Sequence, residues 1–152
     1  MRIKMAVLLL VGVFVLASGS LMAQQAFGLR AGVTIEPEQF HFGAHFITNP
    51  LIKALTFRPN LEMGVGSSVT TFALNFEFAY SIPIPKTDYS AYIGLGPALN
   101  IFDHDNGNDD FDTGGGLNVL LGVEHQDGLF GEIKIGAFDS PDFKFTIGYT
   151  FK

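Results

Sequence analysis

The last ten residues of the chain alternate between two kinds of side chain without exception. Large apolar residues stand at the odd positions from Phe143 to Phe151, and lysine, threonine or glycine stands at the even positions from Lys144 to Lys152. Successive side chains of a β-strand point to opposite faces, so the segment predicts a strand with one aromatic, apolar face and one polar face. A period of two does not fit an amphipathic helix.

The same alternation recurs upstream, and eight runs of about ten residues can be counted. The first covers Ala26 to Glu36, and turn-forming residues separate the runs, as in the hairpin signal Gln126 to Gly128. Proline cannot donate to a strand ladder, so Pro59 predicts a bulge and Pro97 a second irregularity. The pattern predicts an all-β domain with eight antiparallel strands, arranged up and down around a closed barrel.

The first 23 residues predict a cleavable signal peptide. Arg2 and Lys4 give a basic start, Met5 to Ala17 form an apolar run, and small residues follow up to Ala23. The run of 13 residues is shorter than the roughly 20 that a membrane-spanning helix needs. We therefore expect export, with a signal peptide over residues 1–23 and one barrel domain over residues 24–152.

Composition excludes several classes of protein. The chain has no cysteine, so it carries neither a disulfide nor a lipid-modified cysteine. Without residues 1–23, seven basic residues remain against 15 acidic ones, a formal charge of −8. This balance lacks the basic footprint of a nucleic-acid-binding protein.

The size and charge of the two faces indicate which one lines the barrel. The apolar face is bulky and nearly free of charge, whereas the polar face is rich in glycine and alanine, and an eight-stranded barrel has a narrow interior. We therefore expect the polar face inside and an apolar belt outside, which suits a bilayer and not water. A buried charge needs a partner, and four cations match four anions on the inner face. The predicted interior charge network is Arg30, Arg58, Glu62, Glu77, Glu124, Glu132, Lys134 and Lys144.

The longest predicted connection runs from Asp103 to Asp112 and is strongly acidic. Its acids are Asp103, Asp105, Asp109, Asp110 and Asp112. A calcium site is disfavoured, because Gly107 comes one place early for an EF-hand loop and the closing glutamate is missing. We expect a solvated surface loop, with long connections on the outside and short ones, such as Gln126 to Gly128, on the inside.

At this point the chain resembles small bacterial outer-membrane β-barrel proteins of the OmpA/OmpX type. The resemblance is carried by the export signal, the glycine-rich alternating runs Tyr92 to Asn100 and Gly114 to Glu124, and the aromatic C-terminal strand. It implies a transmembrane barrel in the outer membrane, inserted by the barrel-insertion machinery, surrounded by outer-membrane lipids and monomeric. It implies no cofactor and no nucleic-acid partner, and it identifies no external partner.

Catalytic and metal-binding interpretations are weaker. His41 and His45 share a strand face, but four residues of strand separate them by about 13 Å, too far to ligate one metal together. Some small outer-membrane barrels deacylate or acylate lipid A, yet the His-x-Ser pairing of the deacylases is absent, since Gln126 and Asp127 follow His125. We therefore predict a structural or surface-interaction role and no enzymatic activity.

Three alternatives remain open at this stage. One is a lipid-modifying outer-membrane enzyme, and another is a narrow channel, which would need spare volume inside the barrel. The last is a soluble exported lipid-binding barrel of the lipocalin kind, which would need the apolar face inward.

Overall fold

The computed structural model describes residues 26–104 and 111–152, and it forms eight strands there. The strands are β1 (Ala26–Ile35), β2 (Glu38–Ile47), β3 (Leu55–Gly66), β4 (Val69–Pro83), β5 (Tyr89–His104), β6 (Phe111–His125), β7 (Leu129–Phe138) and β8 (Phe143–Phe151). Each strand pairs antiparallel with the next, and β1 pairs with β8, so the sheet closes. The predicted eight-stranded antiparallel barrel is confirmed. The predicted signal peptide, residues 1–23, lies outside the described residues.

The ladders between neighbouring strands keep one register along their whole length. Pro59 lies opposite Phe76 without a shift, and the β2–β3 ladder stops at Asn60, one residue before it. Pro97 lies opposite Leu117, and the β4–β5 ladder keeps the same register on both sides of it. The predicted bulge at Pro59 is therefore wrong, because a one-to-one register leaves no extra residue there. The irregularity predicted at Pro97 is present as a gap in the β4–β5 ladder, which pairs Asn75 with Ala98 and resumes with Phe78 and Leu95. Each proline lies where pairing with one neighbouring strand lapses, so no ladder bond requires the N–H that it lacks.

The connections lie at two ends of the barrel. Residues 48–54, 84–88 and 126–128 lie at the end that also holds Ala26 and Lys152, here called the terminal end. Residues 36–37, 67–68 and 139–142 lie at the other end, together with His104 at the end of β5 and Phe111 at the start of β6, and this end is here called the acidic end. Within the described residues, no helix is long and apolar enough to cross a membrane.

The prediction of a long loop from Asp103 to Asp112 is wrong at both of its ends. Strand β5 continues to His104 and β6 begins at Phe111, with Asp103 paired to Phe111. Polar side chains do not end a strand whose backbone still finds a partner, so Asp103 and Asp112 extend the two strands of the hairpin. Residues 48–54, at the terminal end, form a longer connection than residues 36–37, 67–68 or 139–142, which are the described connections of the acidic end. The expected contrast between long outer and short inner connections is therefore wrong.

The two faces are arranged as the alternation predicts. Leu95 is 58% exposed and Leu121 57%, whereas Glu62 and Lys134 are each 1% exposed. The apolar set faces outward around the barrel, and the polar set fills the interior. A lipocalin-like barrel requires the opposite arrangement, so this structure does not fit that alternative.

Bulky interior side chains lie directly opposite glycines on the next strand. The pairs are Tyr92 with Gly122, Phe130 with Gly148, His45 with Gly28, and His41 with Gly32. A Cβ added to Gly122 would overlap the ring of Tyr92, and one added to Gly148 would overlap Phe130. Glycine therefore provides the room for rings in a barrel too narrow for two large residues at one level.

Candidate functional site

The centre of the barrel contains one carboxylate held by three cations. Glu62 Oε1 lies 2.9 Å from Arg30 Nη1 and 3.2 Å from Lys134 Nζ, and Glu62 Oε2 lies 2.5 Å from Lys144 Nζ. The four residues come from β3, β1, β7 and β8 and point inward by strand parity. A buried carboxylate is expensive unless it is paired and hydrogen-bonded, and Glu62 meets both conditions.

Lys134 extends this cluster to two further carboxylates. Its Nζ lies 2.7 Å from Glu77 Oε1 and 3.9 Å from Glu132 Oε1. Glu132 Oε1 also lies 3.4 Å from Arg30 Nη1, and the Tyr92 hydroxyl donates to Glu132 Oε2 at 2.8 Å. The central charges are therefore connected as one network across the barrel rather than as separate pairs.

Three asparagine amides connect Glu77 to the wall of the barrel. Asn60 donates to Glu77 Oε2 at 2.7 Å, and Asn118 donates to Glu77 Oε1 at 3.2 Å. Asn75 donates to Asn60 Oδ1 at 2.7 Å and accepts from Asn118 at 2.8 Å. The sequence reasoning did not select these residues, although each stands on the polar face of its run and could have been found by that parity.

Arg58 and Glu124 form a separate pair towards the terminal end. Arg58 Nη1 lies 3.4 Å from Glu124 Oε2, and Lys152 Nζ lies 3.0 Å from Glu124 Oε1. The Arg58 guanidinium also lies over the Tyr92 ring, 4.3 Å from its centroid. Arg58 and Glu77, both members of the predicted charge network, lie opposite each other in the β3–β4 ladder. Their side chains separate, because Lys134 and two amides already occupy the Glu77 carboxylate.

A cavity of about 370 Å³ opens at the terminal end above this pair. We call it the vestibule. Its lining includes Arg58, Glu124, Ala26, Ile47 and Lys152. The Arg58 and Glu124 side chains are 9% and 12% exposed, so this ion pair is largely buried although it lines the vestibule.

The two strand-β2 histidines are bonded to hydroxyl groups. His41 Nδ1 lies 2.9 Å from Thr34 Oγ1, and His41 Nε2 lies 2.9 Å from Thr146 Oγ1. His45 Nε2 lies 3.0 Å from Thr150 Oγ1. The described residues contain no group of three or more histidine and acidic side chains that could hold a metal ion. The two histidine rings are therefore part of the polar interior, where hydrogen bonds to threonine hydroxyl groups compensate for their burial.

The predicted acidic loop is only partly described. Asp103 and Asp112 lie at the ends of β5 and β6, whereas Asp105, Asp109 and Asp110 lie outside the described residues. Asp112 Oδ2 lies 3.4 Å from His104 Nε2, in an exposed contact. Glu36, Glu38, Asp139 and Asp142 add to the negative charge of this end.

The comparisons with known proteins agree on the architecture. No protein-family model matches the sequence, and no curated protein matches it. Among solved structures, the fold is similar to Neisserial surface protein A (NspA), with 17% identity, a TM-score of 0.60, and coverage of 84% of this chain and 94% of that one. It is also similar to the N-terminal β-barrel domain of Pseudomonas aeruginosa OprF, with 10% identity, a TM-score of 0.63, and coverage of 84% and 98%.

A further similar structure is the outer membrane enzyme PagL, with 10% identity, a TM-score of 0.53, and coverage of 84% of this chain and 99% of that one. These likenesses show that the chain has the fold of the eight-stranded outer-membrane barrels. Because one of the neighbours is an enzyme, the fold by itself does not distinguish a catalytic from a non-catalytic barrel.

Proposed function

We propose that the protein is an integral outer-membrane β-barrel with a filled, salt-bridged interior, and that its role is structural or a surface interaction rather than catalysis. The observation that carries the proposal is the inversion of the two faces. Apolar side chains cover the outside of the closed sheet, while buried charges fill the inside. In water this would expose a continuous apolar belt far larger than soluble monomers tolerate, whereas in a bilayer it is the solvated surface.

Aromatic rings near the terminal end support a membrane boundary there. Phe27 packs against Phe46 with ring centroids 5.3 Å apart and against Phe151 at 6.2 Å, and Tyr149 packs against Phe151 at 5.2 Å. These rings lie at the ends of three adjacent strands, β8, β1 and β2. Transmembrane barrels carry girdles of aromatic residues at the two membrane–water interfaces, near the ends of their strands.

The filled interior favours a plugged barrel over the narrow-channel alternative. Glu62, Glu77 and Lys134 are each 1% exposed, and their charged atoms contact one another across the middle of the barrel. An ion crossing this layer would have to break several short ion pairs at once. We infer that the intact protein is a plugged, non-conducting barrel in the outer membrane.

Fractionation of a Gram-negative host that expresses the full chain tests the location. We expect the protein to stay in the outer-membrane fraction after carbonate washing and to change mobility on a gel when the sample is boiled. Recovery of folded protein in the soluble periplasmic fraction would contradict the proposal.

Reconstitution tests the plugged interior independently. Purified barrel in planar bilayers is expected to give no discrete conductance steps. Steady openings of the unmodified protein, with the gel shift intact, would overturn the plugged interior while leaving the outer-membrane location standing.

A further inference from the structure

We propose that the barrel binds one internal water molecule between Arg30 and His45. Arg30 is 5% exposed and His45 2%. Among the described residues, Arg30 Nε and His45 Nδ1 each have no hydrogen-bond partner. Buried polar atoms in folded proteins are nearly always satisfied, by protein or by ordered water, so two such atoms on neighbouring strands indicate a shared ligand.

The two atoms belong to side chains that are close neighbours inside the barrel. In the β1–β2 ladder His45 lies opposite Gly28 and Arg30 lies opposite Gly43, so Arg30 and His45 form a diagonal pair on the inner face. Both pack on the same ring: the Arg30 guanidinium carbon lies 5.5 Å from the Phe130 centroid, and the His45 ring meets Phe130 edge-on at 5.1 Å. Both side chains therefore border the Phe130 ring, one inward-facing step apart along β1 and β2.

The chemistry of the two atoms fits water. Arg30 Nε–H can only donate, while Nη1 of the same guanidinium is engaged by Glu62 and Glu132. His45 Nε2 contacts the Thr150 hydroxyl, which leaves Nδ1 as an acceptor or a donor according to the tautomer. Water satisfies either tautomer, because it both donates and accepts. Two polar partners meet the minimum that an ordered internal water needs.

The surrounding charges argue against an ion in the same place. The central layer holds the cations Arg30, Lys134 and Lys144 and the anions Glu62, Glu77 and Glu132, which balance. An added anion or cation would leave a net charge buried at the centre of the barrel, which costs several kcal/mol. A neutral ligand adds no such cost.

The vestibule provides the route of entry. Ala26, Ile47 and Lys152 line it, and the next inward-facing residues along the same strands are Gly28, His45 and Thr150. The His45 ring fills the place that a side chain at position 28 would take. The proposed water therefore lies one layer below solvent that enters from the terminal end.

Nuclear magnetic resonance of the ¹⁵N-labelled, refolded barrel in detergent micelles tests the site. We expect cross-relaxation between water and the Arg30 Nε–H proton with the sign of a long-lived bound water. Two variants distinguish the role of His45 Nδ1 from that of His45 Nε2. The amide group of asparagine lies near the position of Nδ1, and the amide group of the longer glutamine lies near the position of Nε2. His45→Asn should keep the water signal at Arg30, and His45→Gln should lose it.

The backbone amide spectrum of each variant shows whether the barrel is folded, and the wild-type measurement stands alone if a variant does not fold. Absence of the water signal in the wild type would overturn the proposal. So would a signal that is unchanged in folded His45→Gln, or a direct Arg30–His45 hydrogen bond detected by scalar coupling between the two nitrogens.

Discussion

Replacing Lys134 with methionine is the most direct test of the central charge network. Methionine is an unbranched, apolar side chain that can follow a similar path, so the change removes the charge with little change in packing. Lys134 is 1% exposed, and its ammonium lies 2.7 Å from Glu77 and 3.2 Å from Glu62. The substitution therefore isolates the electrostatic contribution of one buried cation.

The cost follows from which carboxylate loses its counter-charge. Glu62 keeps Arg30 and Lys144, whereas Glu77 keeps only the amide donors of Asn60 and Asn118 among the described residues. An uncompensated buried charge destabilises by about 3 to 5 kcal/mol. Adding Glu77→Gln removes that charge and keeps an amide in its place. We expect Lys134→Met with Glu77→Gln to be more stable than Lys134→Met alone.

Urea unfolding of the barrel in lipid vesicles, followed by far-ultraviolet circular dichroism and gel mobility, measures these free energies. The chain has no tryptophan, so its fluorescence does not provide the signal. Lys53→Met is the matched control, because Lys53 is an exposed lysine in the 48–54 connection. If the double variant were as unstable as the sum of the two single variants, the two groups would not be coupled and the network would be refuted.

Two further predictions test the outer face and the interior packing by the same assay. Leu95→Arg places a charge on the outward face near the middle of β5 and should lower the free energy of unfolding in lipid by about 2 to 4 kcal/mol. Glu38→Arg, at the acidic end, should lower it little, and equal losses for the two variants would contradict the membrane belt. Gly122→Ala should cost about 1 to 3 kcal/mol by displacing the Tyr92 ring, whereas Gly131→Ala, which faces open space, should be neutral or stabilising by up to about 1 kcal/mol; the reverse order would contradict the interior packing.

The alternation of side chains was sufficient to predict the strand number, the closed barrel and the two faces. The alternation of apolar and polar residues depends only on neighbouring positions in the sequence, and it can be recognised in each of the eight runs. The choice of ion-pair partner is different, because long side chains reach past the residue opposite them. Arg58 illustrates this: it lies opposite Glu77 but pairs with Glu124, which no count of charges could indicate.

The ends of the strands were also beyond the reach of the pattern. Asp103 and Asp112 are residue types common in loops, yet both belong to strands, because the backbone ladder continues after the apolar alternation has stopped.

The presence of large apolar and aromatic side chains inside the barrel was also not predicted from the alternation. Tyr92, Leu120 and Phe130 are buried inside the barrel, although most residues of the inner face are small or polar. The rings of Tyr92 and Phe130 fit there because a glycine lies opposite each of them on the next strand.

These glycines explain how one register is selected among several that the outer face would accept. A shift of one residue between two strands turns the apolar set inward and is strongly disfavoured, but a shift of two restores the parity of both faces. The apolar belt therefore cannot distinguish registers that differ by two. The interior can, because such a shift would remove the glycines from opposite the rings of Tyr92, Phe130 and His45. Sequence alternation thus defines the barrel wall, and the match of rings, glycines and paired charges inside it defines the register.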